Sequence, residues 1–216
     1  MSRIALVVRE PAQALAWRDL LAAGFHEVVA VTNAARSARA LLTQHQPELV
    51  LCELRLLDGT ALAMIQWLAA LPLRPLLVAL ADHEHDALMV EALRAGADNL
   101  SVCGAHPSAL LTTIEQTLRG ETALSTPLAH ALLDHFERAR MPCRHALSPS
   151  IGDEQSPLQL EPAQRELLMR LAAGYRLDQV AAACRVSAGE IGRRLRAIVR
   201  KLQWDVRAGS LNLELA

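Results

Sequence analysis

Closely spaced cysteines are missing. The four present, Cys52, Cys103, Cys143 and Cys184, contain no CxxC pair, which excludes a disulfide framework and a zinc ribbon and leads us to expect a reducing compartment. An unbroken apolar run of membrane length is also missing. Residues 61 to 81 come nearest, with Gln66 and Arg74 as their strongly polar members, yet Pro72 and Pro75 would break a spanning helix in its middle. A helix, a turn and a buried strand explain the same letters. The opening MSRIALVVRE reaches Arg9 and Glu10 too soon to form the core of an export signal, so a cytoplasmic location is expected. No strong net charge exists either: 22 basic against 23 acidic residues leave −1, which taken whole gives no sign of a polyanion partner. Finally, no nucleophile, base or cofactor loop survives inspection, so neither an enzyme nor a cofactor is expected.

What is present describes a folded chain. Its 216 residues are 52% apolar and 21% charged, enough for one or two domains with buried cores. The charge is unevenly placed: residues 158 to 216 hold ten basic and six acidic residues, leaving twelve and seventeen for residues 1 to 157. Five short apolar runs, Ile4 to Val8, Val28 to Val31, Leu49 to Cys52, Leu76 to Leu80 and Leu100 to Val102, are mostly unbroken rather than alternating. That pattern predicts strands covered on both faces. Between and after them, residues 11 to 23, 34 to 45, 60 to 70, 85 to 95 and 107 to 119 carry helical apolar spacing. Five repeats of strand and helix predict a parallel sheet whose functional crevice lies at the carboxyl ends of the strands, near residues 8 to 11, 53 to 59, 80 to 83 and 103 to 105.

Thr126-Pro127 predicts the start of a helix reaching about Arg140. Residues 141 to 157 hold three prolines and no periodicity, the marks of a linker. Four helical segments are then expected, at 162 to 173, 177 to 183, 188 to 202 and 207 to 215, with Gly174 closing the first. Cys184-Arg185-Val186-Ser187 makes a tight connection in which Ser187 can cap the next helix, the arrangement of a helix-turn-helix. That next helix carries Arg193, Arg194, Arg196, Arg200 and Lys201, while Ile191, Leu195, Ile198 and Leu202 form an apolar stripe.

The segment LEPAQRELLMRLAAGYRLDQVAAACRVSAGEIGRRLRAIVRKL resembles the helix-turn-helix of the LuxR/NarL family in its order of Leu160, Glu166, Leu171-Ala172, Gly174, Val180-Ala181, Val186-Ser187, Ile191 and Lys201-Leu202. PELVLCELRLLDGTAL at 47 to 62 and EALRAGADNLSVCGAHP at 91 to 107 resemble the third and fifth strand regions of response-regulator receivers. The resemblance implies an α/β, (βα)5 flavodoxin-like receiver at residues 1–122, a linker helix and flexible linker at 123–157, and an all-α four-helix DNA-binding domain at 158–216. It implies base-facing positions at Gly192, Arg193 and Arg196, and phosphate contacts from Arg194, Arg200 and Lys201 beside Ser187. It further implies a homodimer on double-stranded DNA, with the surface of the fourth and fifth receiver helices as a candidate interface.

The receiver's reactive residues are replaced. Where that family has two acids after its first strand stand Val8 and Arg9; the phosphoacceptor aspartate corresponds to Glu53, the signalling hydroxyl to Leu80 and the lysine to Cys103. An apolar and a cationic residue cannot hold Mg²⁺, and without metal and lysine the charge of a transferring phosphoryl group goes unanswered. Aspartyl phosphorylation is therefore not expected. Arg9 pairing with Glu53 or Asp58 is one expectation; a solvated Glu53 unrelated to Arg9 is the other.

Gly189 and Gly192 cost roughly 1 kcal/mol each inside a helix, while Glu190 stands where it can complete a capping box with Ser187. His83-Glu84-His85-Asp86 imitates a ligand set but reads as the solvated start of a helix. Cys52 points away from the crevice by strand alternation, as a buried thiol. The expected function is transcriptional regulation through DNA without phosphorylation. The alternatives are a sensor whose crevice, lined by Val8, Leu80 and Cys103, takes a small apolar molecule as input, or a protein-binding adaptor with little DNA recognition.

Overall fold

The computed structural model describes residues 1–103, 106–140 and 159–213, without the side chains of 139, 140 and 204–213. The linker expected at 141–157 lies outside the described residues. In chain order the elements are β1 (Arg3–Val7), α1 (Pro11–Ala23), β2 (Glu27–Thr32), α2 (Ala35–His45), β3 (Leu49–Glu53), β4 (Arg55–Leu56), β5 (Gly59–Thr60), α3 (Leu62–Ala69), β6 (Leu76–Ala81), α4 (Leu88–Ala95), β7 (Asn99–Val102), α5 (Pro107–Leu118), α6 (Thr126–Arg140), α7 (Pro162–Ala172), α8 (Leu177–Cys184) and α9 (Ala188–Leu213).

The five apolar runs form one parallel sheet in the order β2-β1-β3-β6-β7. Alternation within them builds two cores. Ala5, Val7, Val50, Cys52, Leu77 and Ala79 face one way, toward α2, α3 and α4; Ile4, Leu6, Val8, Leu49, Leu51, Val78 and Leu80 face the other, toward α1 and α5. The order reverses between β1 and β3, which places the sheet's crevice at Val8, Arg9 and Glu53. The small hairpin β4–β5 had no signal in the apolar pattern because each strand has two residues. Residues 61 to 81, the imitation of a membrane span, fold as α3, a turn and β6. Among the described residues no helix is long and apolar enough to cross a membrane.

Two departures from expectation matter. The segments expected as separate helices at 188–202 and 207–215 run as one helix, α9, to Leu213, so the carboxyl-terminal part has three helices among the described residues rather than four. Neither proline nor glycine stands in the stretch between, residues 203 to 206, so nothing there stops the helix. In addition, the cores do not stop at the first domain. One apolar cluster continues from Leu77 and Leu93 through Leu128, Leu132 and Phe136 to Leu167, Leu171, Leu195 and Leu202, with α6 packed on α7 and α9 packed along α4.

Candidate nucleic-acid interface and the carboxyl-edge pocket

The turn between α8 and α9 forms because Arg185 adopts the left-handed conformation, φ 55°, which ends α8 and lets the Val186 N–H donate to Ala181 O at 3.0 Å. Ser187 then starts α9: its Oγ accepts the Glu190 N–H at 3.2 Å. The Glu190 carboxylate does not return the bond to Ser187 as a full capping box would. It instead takes Arg193 Nη2 at 2.9 Å and Arg194 Nε at 3.2 Å, which lowers its pKa. Ile191, Leu195, Ile198 and Leu202 are buried as the spacing predicts, leaving Arg193, Arg194 and Arg200 exposed along the opposite side.

The remaining residues of that predicted interface are already occupied. Arg196 is 8% exposed and its Nη2 meets Asp98 Oδ1 at 2.9 Å; burial pulls its pKa down while Asp98 opposes the shift. The Gly192 carbonyl accepts the Thr122 N–H at 3.0 Å. Lys201 Nζ donates to Gln164 Oε1 at 2.8 Å and Glu161 Oε1 at 3.0 Å, tying α9 to the start of α7. The surface of the fourth receiver helix, expected as part of a dimer interface, is here packed against α9 and α6.

At the carboxyl edge the residues expected to form a degenerate pocket make a closed arrangement. Val8 and Leu80 are 1% and 0% exposed and pack into the core with α1 and α5, so they line no open crevice for the expected apolar ligand. Glu53, opposite Leu80 in the register, is also buried. Its Oε2 accepts the Arg9 main-chain N–H at 2.7 Å, and Cys103 Sγ lies 3.9 Å from Oε1. Burial pushes the Glu53 carboxyl up, against the pull of Arg9, and pushes the Cys103 thiol up to about 12. The tie between Arg9 and Glu53 thus runs through the backbone, where an ion pair of side chains was one expectation.

Asp58, the other partner considered for Arg9, accepts the N–H groups of Ala35 and Arg36 at 2.9 and 3.1 Å and caps α2, which lowers its pKa. Arg55 joins the hairpin to Asp82 and Asp86. Asp86 also accepts the Leu88 N–H at 3.0 Å, which makes the acidic end of His83-Glu84-His85-Asp86 a helix cap. Cys52 is buried on the face opposite Glu53, as alternation predicts, and burial raises its pKa.

No family model matches the chain. A curated relative, the probable transcriptional regulatory protein NarL of Mycobacterium tuberculosis, is 22% identical over 196 residues, spanning 90% of this chain and 84% of that protein. RcsB of Salmonella typhimurium superposes with a TM-score of 0.54 at 14% identity, covering 93% of this chain and 91% of that one. A LuxR-family two-component response regulator from Aurantimonas sp. SI85-9A1 gives 0.57 at 24% identity, over 64% of this chain and 99% of that one. The chain has the build of a LuxR/NarL-type response regulator. The RcsB structures include a complex with DNA, matched at a TM-score of 0.55 with 14% identity over 94% of this chain and 92% of RcsB.

The residues that sequence reasoning missed are Arg74, Asp98, Glu121, Thr122 and Gln203, which meet around the docked α9. The Asp98 carboxylate accepts Arg74 Nη2 at 2.7 Å and the Leu77 N–H at 2.9 Å besides Arg196. Gln203 Nε2 donates to Ala97 O at 2.9 Å. One signal was available: two glycines in a helix that has to be well formed.

Proposed function

We propose that the chain is a DNA-binding transcription regulator that works without aspartyl phosphorylation. The observation that carries this reading is α9 itself. It is capped by Ser187, anchored by a buried apolar stripe, and presents Arg193, Arg194 and Arg200 on one exposed side of a helix-turn-helix. In this reading Gly192, Arg193 and Arg196 face bases, and Arg194, Arg200 and Lys201 face phosphates. Residues 1–122 form the receiver-like input domain, 158–216 the DNA-binding domain and 123–157 the connection. The protein acts in the cytoplasm as a homodimer on double-stranded DNA.

Independence from phosphorylation rests on the pocket. Glu53 is buried under the Arg9 N–H, with Leu80 and Val8 where hydroxyl and metal-binding acid would have to stand. Incubation with acetyl phosphate and Mg²⁺ is expected to leave the intact mass unchanged; a phosphoryl adduct on Glu53 would refute this half of the reading. Selection of genomic fragments by the full-length protein, at low and at raised salt, tests the other half. The expected result is enrichment of an inverted repeat, with affinity falling steeply as salt rises because phosphate contacts release counterions. No enrichment under either condition would instead favour the adaptor reading.

A further inference from the structure

The sheet's crevice is filled, yet the chain opens elsewhere to a small molecule. Between α4 and α6 runs a groove of about 410 Å³, within the range of ligand sites. Helical spacing builds its walls: Val90, Glu91 and Arg94 share one face of α4, and Leu128, Ala131 and Arg138 share one face of α6. The two helices run antiparallel. α4 ends at the amino edge of the sheet, before β7, and α6 begins there, because Thr122 Oγ1 donates to Asp98 O at 3.0 Å and the Ala123 N–H to Asn99 Oδ1 at 3.4 Å. Arg138 is thereby carried toward the carboxyl edge, where Glu84 precedes α4 and lines the same groove.

With His85 and His135 neutral, the lining is balanced: Glu84, Asp86 and Glu91 stand against Arg94, Arg138 and the Arg55 that pairs with Asp86. Glu91 and Arg94 satisfy each other at 3.2 Å. Glu84 and Arg138 are left over. Both are exposed, and neither has an ion-pair partner among the described residues; Arg138 uses only its Nε, on Asp134 O at 3.0 Å. We propose that this groove binds a free α-amino acid with an apolar side chain. Its ammonium meets Glu84, its carboxylate meets Arg138, and its side chain lies on Val90, Leu128 and Ala131. A bare anion would face Glu84 and Glu91, and a bare cation would face Arg94 and Arg138, so a molecule holding both charges gains at each end. The guanidinium fork suits a carboxylate in particular, and the apolar side chain gains by leaving water. The site uses none of the arginines of α9, so it stands or falls apart from the DNA-binding reading.

The test is calorimetric titration of the full-length protein with L-leucine, L-methionine and L-phenylalanine, each to roughly 10 mM. At least one is expected to bind, with one molecule per chain. Its deamino acid and its decarboxylated amine should each bind about tenfold more weakly or worse, since each lacks one charged hydrogen-bonding group. Glu84→Ala and Arg138→Ala should each weaken the amino acid to the same degree. On Glu84→Ala the amino acid and its deamino analogue should then bind alike. Both side chains are exposed, and an unchanged Tm of the unliganded variants checks that the fold is kept. Absence of binding by all three amino acids would overturn the proposal. A deamino acid as tight as its amino acid would make the groove a site for anions and overturn it too. Wild-type affinity in either variant would overturn the two-ended arrangement.

Discussion

At the carboxyl ends of the strands, Val8, Leu80 and Glu53 are satisfied within their own domain, by apolar neighbours and by the Arg9 N–H. At the amino ends, Asp98, Ala97 and Thr122 reach outside it, to Arg196, Gln203 and Gly192. The two edges are separated by the length of a strand, roughly 15 Å. The first is where the fold places its crevice, and here it is filled; the second has no place in the fold's usual chemistry, and here it holds the other domain. A filled carboxyl edge thus coexists with an amino edge that holds another part of the chain.

The largest effect is expected on the helix side. Arg193→Ala/Arg196→Ala should lower DNA affinity about a hundredfold, as two guanidinium contacts to bases imply, measured by titration of a selected fragment; retention of wild-type affinity would overturn the base-facing role of the two arginines. On the carboxyl side, Leu80→Ser should cost about 3 kcal/mol in denaturant unfolding, by cavity and buried hydroxyl together, without enabling phosphorylation. A neutral outcome would mean that the pocket is less tightly filled than Leu80's burial indicates.

Smaller effects are expected at the helix glycines and at Glu53. Gly192→Ala should speed amide exchange at Thr122, since the added methyl meets Glu121 Cβ, which cannot swing away. Gly189→Ala should leave it nearly unchanged, since the obstructing atom is the flexible tip of Glu121. Equal rates in the two variants would contradict the close fit at Gly192. At the other edge, Glu53→Gln tests the burial of a carboxyl. Its folded pKa lies above the ordinary value, so the native state holds the proton longer than the unfolded chain and stability falls as pH rises through that interval. The glutamine variant should melt higher than wild type at pH 7.5, and the advantage should shrink below the usual carboxylate range.

Much of this was legible in the letters. Unbroken apolar runs marked the buried parallel strands, and the helix beginning at Pro11 was read to its last residue because proline opens it and the apolar spacing persists to Ala23. The residue changes at Val8, Arg9, Glu53, Leu80 and Cys103 were also visible. Their local solution was not: whether Arg9 uses its guanidinium or its N–H depends on where β1 ends relative to β3. The continuity of α9 from Ala188 to Leu213 was not legible as one helix, and separate helices at 188 to 202 and 207 to 215 were expected. The seat around Asp98 escaped for a different reason. Its partners stand 98 and 106 residues apart in sequence, and no periodicity spans that distance. Gly189 and Gly192 looked like defects of a helix until Glu121 was placed over them.

Asp98 does not depend on α9 to remain where it is. With Arg196 gone, Arg74 and the Leu77 N–H still hold its carboxylate at the mouth of β6 and β7. The vacated seat therefore keeps its form and can receive the helix again without rearrangement. Because host and guest are one polypeptide, the local concentration of the guest is fixed by the tether and does not change on dilution. The balance between seated and unseated α9 is therefore a property of the chain, the same at any protein concentration.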